Sequence, residues 1–198
     1  MSDIICITNR KLCGGDFFKR IESIARERPK AVIVREKDLS EDEYATLAKK
    51  AAEICKEYEV PCILHSFYNV ADDLGVKAIH LPLNLLRQMR EHKRASYKKI
   101  GASCHSAEEA AEAEKLGCDY IIAGHIFKTD CKKDVPPRGL EFLSEVCQRV
   151  KIPVYAIGGI NKDNIAFIRQ AGASGGGIMS GFMTCRNVKD FMESFQDE

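Results

Sequence analysis

Tyr120-Ile121-Ile122-Ala123-Gly124-His125-Ile126-Phe127-Lys128-Thr129-Asp130-Cys131-Lys132-Lys133 passes from an apolar run through a glycine to a lone histidine. It then enters a loop dense in hydroxyl, thiol and ammonium groups. Further along, Pro153-Val154-Tyr155-Ala156-Ile157-Gly158-Gly159-Ile160 runs from a second apolar segment into a Gly-Gly turn. Neither run alternates apolar with polar, the pattern of a strand covered on both faces, as in parallel sheets flanked by helices. Working outward, similar β-branched runs fall at 4–8, 31–35, 62–65, 78–81, 99–102, 120–123, 154–157 and 176–179. Between them lie helical patterns with charged faces. Residues 40–58 open Ser-Glu-Asp-Glu and carry Tyr44, Leu47, Ala51 and Ile54 at helical spacing. Residues 106–116 place Ser106 as a cap, Glu108 and Glu109 in the first turn, and Gly117 as the stop. The basic interval between Leu81 and Lys99 is less periodic. Eight strands, each followed by a helical segment, predict an α/β fold, a single (β/α)8 TIM barrel over residues 1–198, with a doubly wound open sheet as the alternative.

The 198 residues allow one well-buried core. Thirty Lys and Arg against twenty-nine Asp and Glu give a formal charge of +1, with no basic stripe to release counterions from nucleic acid. No apolar run approaches membrane-spanning length, and no secretory segment opens the chain. Nine scattered cysteines, with no C-x-x-C pair, read as reduced thiols of a cytoplasmic protein. These features lead us to expect no nucleic-acid partner, no membrane and a cytoplasmic location.

In a barrel the chemistry gathers at the carboxyl ends of the strands. The polar residues closing the expected strands are Arg35, Lys37, His65, His80, Ser103, His105, His125, Gly158, Gly159 and Ser180, so four of the five histidines fall in this set. Gly158-Gly159, with a helix expected to open at Ile160-Asn161, reads as a phosphate cradle, as the loops after strands seven and eight of barrels often are, with a tight strand-to-helix turn as the alternative. The second glycine-rich end, Gly175-Gly176-Gly177-Ile178-Met179-Ser180, adds Gly177 and Ser180 to the phosphate-binding candidates. His125 is either a general acid/base facing a cavity or a core histidine bonded to a neighbouring carbonyl. Cys131 and Lys132 stand beside each other in the loop, as a ligand contact and an anion partner or as bystanders. Alternation places Arg35 and Lys37 on one side of the chain and Glu36 on the other. His65 and His80 lack a carboxylate nearby in sequence, so no metal site is expected.

With these motifs in place, the sequence resembles the thiamine phosphate synthase/TenI superfamily. The resemblance is carried by Val34-Arg35-Glu36-Lys37, Ala78-Ile79-His80-Leu81, Ile100-Gly101-Ala102-Ser103, Gly124-His125-Ile126-Phe127-Lys128-Thr129, Pro136-Pro137-Arg138-Gly139-Leu140, Ile157-Gly158-Gly159-Ile160 and Met179-Ser180-Gly181. It implies a (β/α)8 barrel and has two branches. The synthases join a pyrimidine pyrophosphate to a thiazole phosphate and hold Mg²⁺ with two aspartates. Those aspartates align with Ser66 and with Asn84 or its neighbour. This chain also has Ile33 where synthases have glutamine, and His125 where they usually have proline. The second branch, the TenI-type thiazole tautomerases, carries Gly-His-x-Phe-x-Thr-Asp-Cys-Lys-Lys, which Gly124 to Lys133 matches closely. The second resemblance implies an isomerase of thiamine biosynthesis that converts a carboxylated thiazole phosphate to its aromatic tautomer, with His125 as the acid/base and no cofactor or metal. The same resemblance implies that Arg35, Lys37, His65, Ser103, His105, Thr129, Cys131 and Lys132 contact the substrate, and that Gly158, Gly159, Gly177 and Ser180 hold its phosphate. Related barrels commonly form dimers, so a homodimer is possible. The alternatives are a thiamine phosphate synthase and a non-catalytic phospholigand-binding regulator.

Overall fold

The computed structural model describes residues 2–132 and 135–195, the side chain of Cys131 excepted. In chain order the elements are β1 (Ile4–Ile7), α1 (Phe17–Arg26), β2 (Ala31–Val34), α2 (Glu41–Glu57), β3 (Cys62–His65), α3 (Tyr68–Asp73), β4 (Ala78–Pro82), α4 (Leu83–Gln88), α5 (Glu91–Arg94), β5 (Lys99–Cys104), α6 (Ala107–Lys115), β6 (Tyr120–Gly124), α7 (Gly139–Arg149), β7 (Val154–Ile157), α8 (Ile165–Gln170), β8 (Gly175–Ile178), α9 (Ser180–Thr184) and α10 (Val188–Glu193). Short 3₁₀ turns occupy Arg10–Leu12 and Asp130–Lys132. The strands follow one another in sequence order around a closed parallel barrel, the (β/α)8 fold. All eight expected strands are present. Their ends shift by a residue or two because the ladder, not the composition, decides where a strand stops: β5 continues to Cys104, which pairs with Ala123.

The helix signals behave as the cap chemistry dictates. The Ser40 hydroxyl accepts from Glu43 N at 3.4 Å while Glu43 Oε2 accepts from Ser40 N at 2.8 Å, a complete capping box. Ser106 Oγ accepts from Glu109 N at 3.1 Å. One expectation fails: no helix opens at Ile160-Asn161. Asn161 N donates to Asn164 Oδ1 and Asp163 N to Asn161 Oδ1, both at 2.9 Å, and α8 starts at Ile165. Asparagine side chains that bond nearby backbone groups hold the chain in a turn instead of a helix. The basic interval before β5 folds as the short helices α4 and α5.

Contacts divide the chain into two compact units, one holding the residues up to Ile79 together with those from Ile178 onward, the other His80–Gly177. In the first, β1 and β2 are buried at every position, as runs covered on both faces require. Tyr44 of α2 is fully buried; its hydroxyl donates to Val34 O at 2.6 Å and accepts from His65 N at 3.0 Å, tying α2 to the ends of β2 and β3. In the second, Tyr120 of β6 pairs in register with Gly101 of β5, and a Cβ on Gly101 would stand 2.1 Å from the Tyr120 ring. Glycine at 101 is therefore a requirement of space.

Half of the described cysteines behave as core residues. Cys6, Cys55, Cys104 and Cys118 are buried, and the described cysteines are free thiols. Burial pushes the Cys104 and Cys118 thiols up from 9.0 to about 12. Two outcomes follow from these contacts. Tyr44→Phe strands a carbonyl and an N–H in the core and lowers unfolding stability by about 1–3 kcal/mol in denaturant titrations; no loss contradicts the clamp. Between pH 9.0 and about 12 the folded protein retains thiol protons that the unfolded chain releases. The corresponding stability is intact below that window and declines as pH rises through it. Denaturation midpoints measured across the window fall less steeply in a Cys104→Ala/Cys118→Ala variant.

Candidate functional site

In the first unit the polar ends of β1 and β2 are locked together by one carboxylate. Glu36 is 2% exposed, and its Oε1 accepts from Thr8 Oγ1 at 2.7 Å. Arg10 N reaches both carboxylate oxygens at 3.0 and 3.1 Å, and its guanidinium reaches Oε2 at 3.2 Å. Thr8 Oγ1 in turn accepts from Arg35 N at 2.9 Å. The same guanidinium grips Asp38 with two 2.7 Å bonds and holds its carboxyl well below the usual range, with Lys11 Nζ adding a contact at 2.9 Å. With Glu36 turned inward, Arg35 is left half-buried, its Nη1 3.9 Å from Met179 Sδ, and Lys37 is exposed. His65, at the end of β3, is buried, with Nδ1 2.7 Å from Ser66 Oγ. Ser66 adopts a left-handed backbone, φ 69°.

In the second unit three side chains from β4, β5 and β6 meet in a line. His80 Nδ1 lies 3.1 Å from the Tyr120 hydroxyl, and His80 Nε2 lies 2.9 Å from Ser103 Oγ. His80 and Tyr120 are buried, while Ser103 is half-buried at the end of β5. His105 is exposed; its Nδ1 is 2.8 Å from Gly124 O, so that nitrogen carries the proton. The chain leaves β6 through a cis peptide, Gly124–His125. His125 is 3% exposed, and its Nε2 donates to Val135 O at 3.2 Å. His125 O and Ile126 O also accept from Arg138 N and Gly139 N, so the histidine backbone and ring both staple this loop. Gly158 and Gly159 have φ of 97° and 68° and support it from below. A Cβ on Gly158 would stand 2.3 Å from His125 Cβ, and one on Gly159 would stand 2.6 Å from Lys128 O.

These placements separate the expected site residues. His80 and Ser103 are brought together; His105, His125 and the Gly158-Gly159 turn gather around the β6 exit. Thr129 is half-buried and Lys132 exposed in the loop beyond it, while the side chain of Cys131 lies outside the described residues, as does all of Lys133. Gly177 is buried within β8 in the second unit, and Ser180 is exposed in α9 in the first. With α8 beginning only at Ile165, no helix end stands directly after Gly159. Close packing on the 125–128 loop requires glycine at both positions of this turn. Tyr120, Thr8 and Glu36 were missed as polar organisers. A glycine inside a strand, opposite Tyr120, was the available signal, since it marks a close approach.

The closed parallel barrel places the chain among (β/α)8 barrels. It matches the thiamine monophosphate synthase family over residues 4–182 and belongs to that family. The thiamine-phosphate synthase of Fusobacterium nucleatum is 34% identical over 197 residues, covering 96% of this chain and 94% of the relative. That of Syntrophomonas wolfei is 33% identical over 190 residues, covering 92% and 89%. The structure of thiamine phosphate pyrophosphorylase from Pyrococcus furiosus superposes with a TM-score of 0.83 at 31% identity, covering 97% of this chain and 92% of that one. These relatives overturn the expectation of a thiazole tautomerase: across nearly their full length they carry the synthase name, the activity first held as the alternative. The short match from Gly124 to Lys133 misled because it weighs one loop against the whole chain. The ring of His125, assigned there as acid/base, instead bonds the Val135 carbonyl.

Thr8→Val removes a donor from the buried Glu36 carboxylate and an acceptor from Arg35 N–H. Unfolding stability is expected to fall by about 2 kcal/mol, measured by urea titration. An unchanged midpoint means that this lock contributes nothing.

Proposed function

We propose that the protein is a thiamine-phosphate synthase, a transferase that couples a pyrimidine pyrophosphate to a thiazole phosphate. The observation carrying this reading is the end-to-end similarity to proteins of that name, at 34% and 33% identity. In the reaction the ring nitrogen of the thiazole attacks the methylene carbon of the pyrimidine. A carbon–nitrogen bond forms, the carbon–oxygen bond to pyrophosphate breaks, and pyrophosphate leaves with the electron pair. The protein's task is to hold two phosphorylated molecules and to stabilise charge on the departing one. Arg35 and Lys37 supply cations for this, with the Arg35 backbone fixed by Thr8. Ser103 supplies a hydroxyl, Thr129 and Lys132 act as further contacts, and Gly158, Gly159, Gly177 and Ser180 contribute main-chain donors. His65 and His105 shape the surroundings through the bonds they already make to Ser66 and to the Gly124 carbonyl.

The synthase branch implies magnesium. Ser66 Oγ is engaged by the His65 ring, and Asn84 is an exposed amide. Among the described residues no group of three or more His, Cys, Asp or Glu stands together. A hard cation is held by carboxylates, so these residues do not fit a resident magnesium ion and no step is routed through one. No described helix is long and apolar enough to cross a membrane. Free thiols at the described cysteines favour a cytoplasmic location, and a homodimer is included in the proposal.

The test supplies both phosphorylated precursors to the purified protein in magnesium-containing buffer. Thiamine phosphate and pyrophosphate are expected in equal amounts; turnover of the thiazole alone, or no product, contradicts the proposal. Arg35→Met removes a charge-assisted contact and is expected to lower kcat/KM by about 10- to 100-fold.

A further inference from the structure

Resting on the synthase reading, we propose that Tyr120 and His80 are positioning residues that turn the Ser103 hydroxyl proton toward an anionic oxygen of the bound phosphorylated substrate. The direction follows from what each group can give. The Tyr120 phenol is 4% exposed, and burial pushes it well above its ordinary value, so it keeps its proton. Among the described residues His80 Nδ1, at 3.1 Å, is the hydrogen-bond partner of that phenol. A buried O–H without an acceptor is costly, so the phenol donates and Nδ1 accepts. A neutral imidazole with an accepting Nδ1 carries its proton on Nε2. Nε2–H therefore donates to Ser103 Oγ at 2.9 Å. The serine's own proton is then turned away from His80.

The line is held rigidly. The Tyr120 ring occupies the space that the absent Gly101 side chain leaves. It packs edge-on against Tyr155 at 6.0 Å and 82°, and lies 5.5 Å from the His80 ring. Ser103 alone of the three is half-buried, so its hydroxyl is the end of the line that a ligand meets. A hydroxyl whose proton is turned away from His80 can donate it to phosphate and pyrophosphate oxygens, which only accept.

The test reads the tautomer and the binding separately. In ¹⁵N-labelled wild-type protein, the imidazole of His80, assigned by its loss in His80→Asn, is expected to carry its proton on Nε2. Tyr120→Phe, which keeps the ring and removes only the hydroxyl, shifts the population toward Nδ1–H. In calorimetric titrations with inorganic pyrophosphate, Tyr120→Phe and Ser103→Ala each weaken binding by about three- to tenfold. The double variant loses little more than Ser103→Ala alone, because both changes remove the same contact. Protonation at Nδ1 in the wild type, an unaltered tautomer in Tyr120→Phe, additive losses, or no pyrophosphate binding by the wild type overturns the proposal. None of these readouts needs turnover. A protein that passes them yet makes no thiamine phosphate refutes the synthase reading and leaves the hydroxyl's orientation standing.

Discussion

Gly101 and Tyr120 face each other on neighbouring parallel strands, and the missing side chain of one makes room for the ring of the other. From that contact the polar organisation of the second unit follows. The ring can sit against Gly101 only because no Cβ stands in its way, and from there its phenol reaches His80 Nδ1 at 3.1 Å. Strands covered on both faces give polar groups no exit except along such lines or at strand ends. Ser103 is where this line reaches half-exposed surface. Packing and hydrogen-bond direction are thus one constraint: a larger residue at 101 displaces the ring, and with it the orientation of a hydroxyl two residues further along β5.

The first unit solves the same problem with charge. Glu36 is buried at the end of β2, where an isolated carboxylate is unfavourable, and it is stabilised by a threonine hydroxyl, a backbone N–H and a guanidinium. The lock holds Glu36 buried just past β2, with Arg35 half-buried and Lys37 exposed on either side of it in sequence. Two short devices, one neutral and one ionic, therefore fix which side chains each strand end presents.

The fold was legible because its signal is repeated. Eight apolar runs, caps such as Ser40 and Ser106, and stops such as Gly117 each carry local physics that the tertiary structure does not reverse. The site was legible in part. Strand-end positions identified Ser103, Arg35 and His80 as polar groups, but not their partners, which come from other strands. The Gly-Gly turn after β7 was legible as a place of close backbone approach, and the protein's own 125–128 loop is a group that approaches it. His125 was misassigned for a related reason. A histidine after a strand looks the same in sequence whether its ring faces a ligand or a carbonyl, and the Val135 carbonyl that engages it lies ten residues away. Along the whole chain the similarity is to proteins that carry the synthase name, which no single loop conveys.

A crystal structure of the protein with pyrophosphate bound would test these assignments most directly. The account predicts Ser103 Oγ within hydrogen-bond distance of a pyrophosphate oxygen, His80 still between Ser103 and Tyr120, and the His125 ring still on the Val135 carbonyl. A pyrophosphate bound away from Ser103, with the His125 ring swung out to meet it, would contradict it.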